Sequence, residues 1–472
     1  MGDPKKEHTF RGRLVMVGFG CVGQGVLPLL LRHIDLRPQQ IHIITASDEG
    51  FNVAREYGVP FQLQALTRDN YTRVLEPLLT PGDFLLNLSV DVSSVALIEL
   101  CQRRGALYLD TCIEPWAGGY TDAGISASLR SNYALREQSL ALRRSDQTGP
   151  TAMLTHGANP GIVSHFVKQA LLNIVGDLGH TVTPPVSRND WAQLAASLNI
   201  KTIHVAERDT QMASPRKAPG EFVNTWSVDG FVGEGCQPAE LGWGSHERHF
   251  PADGQSHDFG CKAAIYLSRP GASTRVRTWT PLAGAIHGFL ITHGESISIA
   301  DYFTLGNAGN PRYRPTVHYA YHPCDDTVAS IHELAGNNWR LQTRKRVLKD
   351  DLISGIDELG VLLMGHERGA YWYGSRLSID EARRLAPHNS ATSLQVTAPV
   401  MAAVIWGMKN PARDVIDPDD MPFDEILRIC RPYLGNIVGE YSEWTPLQDR
   451  GWLFPEEIDA TDPWQFKNFR VT

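Results

Sequence analysis

Paired cysteines, basic runs and uninterrupted apolar stretches are all scarce in this chain, and each scarcity closes off a class of protein. The seven cysteines, Cys21, Cys101, Cys112, Cys236, Cys261, Cys324 and Cys430, are odd in number and scattered, with no C-x-x-C pair. That pattern argues against a disulfide scaffold or zinc ribbon and predicts a reduced, cytoplasmic chain. No Lys/Arg run exceeds three residues, and 44 basic against 52 acidic residues give a formal charge of -8. A basic nucleic-acid-binding surface is therefore disfavoured. The uncharged stretch from Leu14 to Leu31 follows Lys5, Lys6, Arg11 and Arg13 and imitates a signal peptide or membrane span. Gly18, Gly20, Gly23, Gln24, Gly25 and Pro28 interrupt it, so it reads as strand, loop and helix. No membrane association is predicted, because other apolar stretches are too short to span a bilayer. The first six residues also lack the Ser or Thr of a myristoylation signal.

What is present fits an ordinary globular protein: 42% hydrophobic and 20% charged residues over 472 positions, enough for about two or three domains. Short apolar runs at Leu14 to Val17, Ile41 to Thr45, Phe84 to Ser89, Ala106 to Leu109 and Ala152 to Thr155 alternate with helical patterns. This alternation predicts an α/β fold with a Rossmann-type doubly wound parallel sheet over residues 1–160. From about residue 161 to 389, strand-like runs between Gly and Pro predict a second α+β domain with a largely antiparallel sheet. These runs include Thr202 to Ala206, Trp226 to Val232, Arg275 to Thr280 and Thr316 to Tyr321. An apolar helix near 390–410 is expected to return to the first domain, and the C-terminal residues to 472 to wrap it.

Gly18-Phe19-Gly20-Cys21-Val22-Gly23 follows the first strand and opens a helix, the context a dinucleotide fingerprint requires. Gly18 permits the turn, Gly20 admits the pyrophosphate to the backbone, Gly23 lets helix and strand pack, and the first-turn N–H groups of Cys21 and Val22 face the phosphates. The bland alternative is a set of glycines that only shapes a turn. Thr45 stands where an acid usually ends the second strand, so Asp48 is the provisional ribose contact, with helix capping as its competing role. No Arg or Lys lies between Ile41 and Ala54 to hold a 2'-phosphate, which favours NAD over NADP. Asn87, Ser89 and Asp91 follow the next strand, Thr111, Glu114, Pro115 and Trp116 the one after, and Asn159 the last. All belong at the carboxyl edge where such sheets bind ligands, although turn chemistry competes for each.

In the second half, Glu207, Trp226, Glu234, His293 and Glu295 combine carboxylates with an indole, a set suited to an ammonium ligand. Read singly, Trp226 belongs to the core and Glu207 to the surface. His246-Glu-Arg-His249 is one residue short of a zinc-protease motif, and no metal is assigned.

Gly18-Phe-Gly20, Asn87-Leu-Ser-Val-Asp91, Tyr108-Leu-Asp-Thr-Cys-Ile-Glu-Pro-Trp116 and Gly157-Ala-Asn-Pro-Gly161 together resemble the saccharopine dehydrogenase-like group. His204-Val-Ala-Glu-Arg-Asp-Thr-Gln211, Phe222-Val-Asn-Thr-Trp-Ser-Val228, Ile291-Thr-His-Gly-Glu-Ser-Ile-Ser298 and His318-Tyr-Ala-Tyr-His-Pro323 are similar to its bacterial homospermidine synthase branch. The resemblance implies a homodimer with bound NAD. The implied reaction oxidises one putrescine to an imine, releases ammonia, condenses a second putrescine and returns the hydride, yielding homospermidine. Carried onto this chain, it gives Glu207 and Glu234 ammonium-binding roles and sets Trp226 over the cationic intermediate; Asp91 is a further candidate substrate contact. Asn159 and His293 would flank the reacting carbon, with His293 as candidate general base and Glu295 either orienting it or lying on the surface. The rival within the group is a saccharopine- or carboxynorspermidine-type dehydrogenase, whose carboxylate-bearing substrate calls for Arg or Lys at the site.

Overall fold

The computed structural model describes residues 6–146 and 148–472; most of the segment read above for a lipid signal lies outside them. Seven parallel strands form the first sheet, in the order Val415–Ile416, Ala152–Met153, Leu107–Asp110, Phe84–Asn87, Leu14–Val17, Ile41–Thr45, Phe61–Leu63. Leu14–Val17, Phe84–Asn87 and Leu107–Asp110 are buried at every position, which is why all but the terminal Asn87 and Asp110 are apolar. The strand order reverses between Leu14–Val17 and Phe84–Asn87. Gly18 and Ser89, just past their carboxyl ends, therefore flank the crevice where a doubly wound sheet takes its ligand.

Helix Ala391–Lys409 is long and apolar enough to cross a bilayer, but 94% of its most apolar window is buried inside the protein. It packs along helix Cys21–His33.

The second sheet has ten strands. Its main path runs Gly254–Ser256, Ala264–Pro270, Pro238–Gly242, Thr316–His322, Thr202–Asp209, Ile356–Met364, Ala370–Ser378, Asn436–Ser442. The hairpin Arg275–Thr280 and Gly284–Phe289 joins it at Thr316–His322. One pair, Thr316–His322 with Thr202–Asp209, is parallel; the other pairs are antiparallel.

Two expectations change. Trp226 to Val232 is not a strand: a turn leads into helix Val228–Cys236, whose Ser227 hydroxyl caps the Gly230 N–H at 3.1 Å. Val228, Phe231 and Val232 have helical spacing, and Ser227 with Asp229 supplies the start signal. After strand Val415–Ile416, which edges the first sheet, the C-terminal residues cover the second sheet instead. Strand Asn436–Ser442 pairs with Ala370–Ser378, and Trp444, Trp464 and Phe469 bury against Ala206, Leu362 and Trp372, where that sheet offers an apolar face.

Buried polar contacts tie the halves together. Glu240, on strand Pro238–Gly242, accepts the Asn132 and Tyr133 N–H groups at 2.9 and 3.1 Å and so caps helix Asn132–Leu140. From that helix Arg136 reaches Asp301 at 2.9 Å and Asp417 at 2.7 Å.

Candidate active site

The glycine loop has the shape a dinucleotide needs. Gly18 adopts φ +85°, and a Cβ there would lie 2.7 Å from the Leu88 and Ser89 backbone. Gly20 starts helix Cys21–His33 with no side-chain cap, and a Cβ at Gly20 would meet nothing within 4 Å. The first-turn N–H groups of Cys21, Val22 and Gly23 therefore open onto space beside a positive helix end, which suits a pyrophosphate. Gly23 lies under Phe19, whose ring would be 2.9 Å from an added Cβ. Burial pushes the Cys21 thiol up, and the Ser227 backbone lies close enough to offset part of that, so the loop adjoins the segment carrying Trp226.

Around this loop, Asn87 donates to the Tyr108 hydroxyl at 3.3 Å and accepts from the Ser89 hydroxyl at 2.6 Å, fixing the strand end. Asp48 is exposed; its carbonyl, not its carboxylate, receives the Phe51 N–H at 2.9 Å. Asp91 is also exposed, in the left-handed region at φ +63°, and partial desolvation of its carboxyl, then Asp229 nearby, raises its pKa. Its N–H points to Glu114 Oε2 at 3.4 Å. Burial first, then Glu234 and Asp91, push Glu114 up to about 8. Thr111 packs beneath Gly157, and Pro115 beneath Gly119.

Strand Thr202–Asp209 sends Val205, Glu207 and Asp209 to one face. Across the sheet Tyr321 pairs with Glu207, and Asp357 with Asp209. Glu207, Asp209 and Asp357 are only 3%, 0% and 0% exposed. Glu207 accepts from the Tyr319 hydroxyl, Asp209 from Thr225 Oγ1 at 3.0 Å and the Gln211 N–H at 2.7 Å, and Asp357 from Thr392. Among the described residues no Lys or Arg forms an ion pair with any of the three. Burial, and for Glu207 and Asp357 neighbouring carboxylates too, hold all three above the ordinary carboxylate range. The buried Tyr321 hydroxyl, which the same acids push up, has no hydrogen-bond partner.

A second acidic group adjoins the first. Glu234 Oε2 lies 2.8 Å from His293 Nε2, Cys112 Sγ donates to Glu234 Oε1 at 3.4 Å, and Glu295 Oε1 stands 3.4 Å from His293 Nδ1. The Tyr319 ring bridges to Glu207: it lies 4.6 Å from the His293 ring centroid and stacks at 5.2 Å on Tyr321. Asn159 stands beside the Tyr319 hydroxyl with its Nδ2 buried and unbonded. Its loop is anchored by Asp110, which accepts the Thr155 N–H at 2.6 Å and the Tyr108 hydroxyl at 2.8 Å. Partly buried Trp226 sits edge-on to Phe231 at 5.8 Å, and Phe231 meets Tyr321 at 6.2 Å.

Thus Glu207, Glu234, His293 and Asn159 converge on Tyr319, with Trp226 connected through Phe231 and Tyr321, while Asp91 lies exposed near Glu114 and Asp48 makes no contact with the group. Sequence reasoning missed Asp209, Asp357, Cys112, Tyr319 and Tyr321. The alternation of strand Thr202–Asp209 pointed to Asp209, which shares a face with Glu207. Among the described residues no group of His, Cys, Asp and Glu is arranged to hold a metal ion.

Comparison with known proteins bears on what this geometry serves. Residues 14–153 match the saccharopine dehydrogenase NADP binding domain and residues 157–442 the saccharopine dehydrogenase C-terminal domain. The homospermidine synthase of Blastochloris viridis is 54% identical, covering 100% of both chains. The chain belongs to the homospermidine synthase family. That of Mesorhizobium japonicum is 48% identical over 98% of this chain and 96% of its own. A homospermidine synthase structure from Legionella pneumophila, solved in complex with NAD, superimposes with a TM-score of 0.92 at 51% identity, covering 98% of each chain. Within the homospermidine synthase family, then, the buried carboxylate cluster accompanies a fold built for a dinucleotide.

Proposed function

We propose that this protein is a homospermidine synthase that uses NAD to convert two putrescine molecules into homospermidine and ammonia with no net redox change. The observation that carries the reading is the buried acid of Glu207, Asp209 and Asp357, which lacks any Lys or Arg ion partner among the described residues. Burying a carboxylate without a cation is costly, so a chamber arranged this way favours a cationic guest. A saccharopine- or carboxynorspermidine-type substrate brings carboxylates of its own, which this acid repels.

When bound, NAD supplies the acceptor that takes a hydride from the first diamine and returns it to the coupled product. Gly18, Gly20 and the N–H groups of Cys21, Val22 and Gly23 would hold its pyrophosphate. Asn87, Ser89, Thr111, Pro115 and Asn159 would line the nicotinamide half, and Asp48 is kept as the adenosine ribose contact. The absence of Arg or Lys from Ile41 to Ala54 favours NAD over NADP. Putrescine arrives as a dication, its amines having an ordinary pKa near ~10.4. Glu207, supported by Asp209 and Asp357, would take one ammonium, and Glu234 with Asp91 the other. Trp226 would cover the cationic centre, worth about 0.5 to 2 kcal/mol depending on desolvation. His293 and Asn159 would flank the reacting carbon and fix its approach. The reading also assigns the enzyme to the reducing cytoplasm, which its seven unpaired cysteines favour, and to a homodimer, as the family resemblance implies.

Incubating the purified protein with NAD and putrescine, followed by mass spectrometry, tests the reading. Homospermidine and ammonia without NADH build-up are expected; steady NADH accumulation with no triamine would overturn it in favour of a dehydrogenase.

A further inference from the structure

His293 is held between two carboxylates, of which the proposed reaction uses only Glu234. The other, Glu295, opens helix Glu295–Tyr302, is 0% exposed, and has both oxygens without a hydrogen-bond partner. A buried carboxylate in that condition is expensive unless a positive charge stands beside it. The cation within reach is the His293 ring, with Nδ1 at 3.4 Å. The opposite ring nitrogen, Nε2, is 2.8 Å from Glu234. Both ring nitrogens thus face acid, an arrangement matched to an imidazolium with two N–H donors and mismatched to a neutral ring with one lone pair.

We propose that Glu295 is a positioning residue that keeps His293 an imidazolium, so that the proton acceptor of the chamber is Glu234 and not His293. The inference rests on the diamine reaction proposed above. In the step it governs, one N–H bond of the substrate ammonium breaks, the electron pair stays on nitrogen, and the proton forms an O–H bond on Glu234. The neutral amine that hydride abstraction requires is left behind. The His293 N–H donated to Glu234 orients that carboxylate for the transfer.

The charged and titratable groups around the ring agree in sign. Glu234 faces it from helix Val228–Cys236, Glu295 from its own helix, and Glu207 and Tyr319 from the two central strands. Cys112 and Glu114 stand behind Glu234. Burial pulls the imidazole down, but Glu234 and Glu295 outweigh it and hold it well above its ordinary value. No Lys or Arg pairs with this group among the described residues.

Histidine-selective 15N labelling reads the charge of the ring directly, without substrate, and the missing signal in His293→Gln assigns it. His293 is expected to remain an imidazolium above neutral pH. Glu295→Gln should lower its midpoint by about one to three pH units, and Glu295→Asp should restore part of that shift. In turnover with putrescine, the loss of kcat on the alkaline side should move to lower pH by the same amount in Glu295→Gln, with KM little changed. A neutral His293 at neutral pH in the unsubstituted protein would overturn the proposal, as would a midpoint that Glu295→Gln leaves in place. A protein that holds His293 charged yet makes no triamine would refute the proposed reaction instead, so the two failures are told apart.

Discussion

Two groups of largely buried carboxylates in this molecule are provisioned in opposite ways. Asp301 and Asp417 meet the buried Arg136 at 2.9 and 2.7 Å, with Arg188 closing on Asp301 at 2.8 Å. Burial pushes Asp301 up, but Arg136 and Arg188 outweigh it and hold that carboxyl below the ordinary range. Glu207, Asp209 and Asp357 are buried at least as deeply, receive only hydroxyls and amides, and are held above that range. The first cluster is a finished joint between helix Asn132–Leu140 and its neighbours. The second is electrostatically incomplete, and the proposed diamine completes it.

Removing the guanidinium from the finished cluster should produce the largest effect. Arg136→Met leaves Asp417 buried without its cation and Asp301 with Arg188 alone, and is expected to cost about 3 to 5 kcal/mol of stability, read by urea unfolding, with KM for putrescine unchanged in the protein that remains folded. A loss confined to activity would erase the distinction between the clusters. Glu207→Gln should do the reverse. It leaves stability equal or higher while lowering kcat/KM for putrescine by roughly 2 to 4 kcal/mol, on the order of 30-fold to 1,000-fold, as expected when one partner of a buried charge pair is removed; NAD titration should be unaffected. Unchanged kinetics would return Glu207 to a structural role. Trp226→Ala is expected to lose about 0.5 to 2 kcal/mol more transition-state stabilisation than Trp226→Phe, which keeps an aromatic face. Equal rates in the two variants would remove the indole from the account.

The smallest effect is on pH dependence. Carboxyls whose folded pKa is raised favour the protonated form, so the incomplete cluster should cost stability progressively as pH rises from the ordinary carboxylate range through the raised values. Asp301, held low, contributes stability above its unfolded pKa and loses it as pH falls through the folded one. Saturating diamine should flatten the alkaline loss and leave the acid side alone. Unfolding measured across pH with and without putrescine checks both halves of this statement.

The parallel sheet was the most legible part of the chain, because strands buried on both faces, such as Leu14–Val17 and Phe84–Asn87, spell themselves as apolar runs. The glycine loop was legible for a related reason: the close backbone contacts at Gly18 leave no room for a Cβ. The candidate site was only partly so. Glu207, Glu234 and His293 entered through the ammonium argument and the resemblance, but Asp357 did not. It lies near the start of strand Ile356–Met364, where adjacent Asp357 and Glu358 look like solvated loop, yet they are 0% and 1% exposed. Glu358 finds Arg376 at 2.9 Å and Asp357 finds no cation, a distinction set by the neighbouring strands that no local pattern carries. Trp226 misled for the opposite reason. Its apolar neighbours suit strand and helix alike until Ser227 is recognised as a cap.

The most direct test of a chamber left short of positive charge is the proton count on filling it. Titrating putrescine into the NADH-loaded protein at neutral pH, by calorimetry in two buffers of different ionisation enthalpy, reports protons released per diamine bound. A cluster held partly protonated by burial must give up protons to an incoming dication, so net release on the order of one proton is predicted. Binding without release, or with proton uptake, would contradict the claim that these carboxylates await a cation.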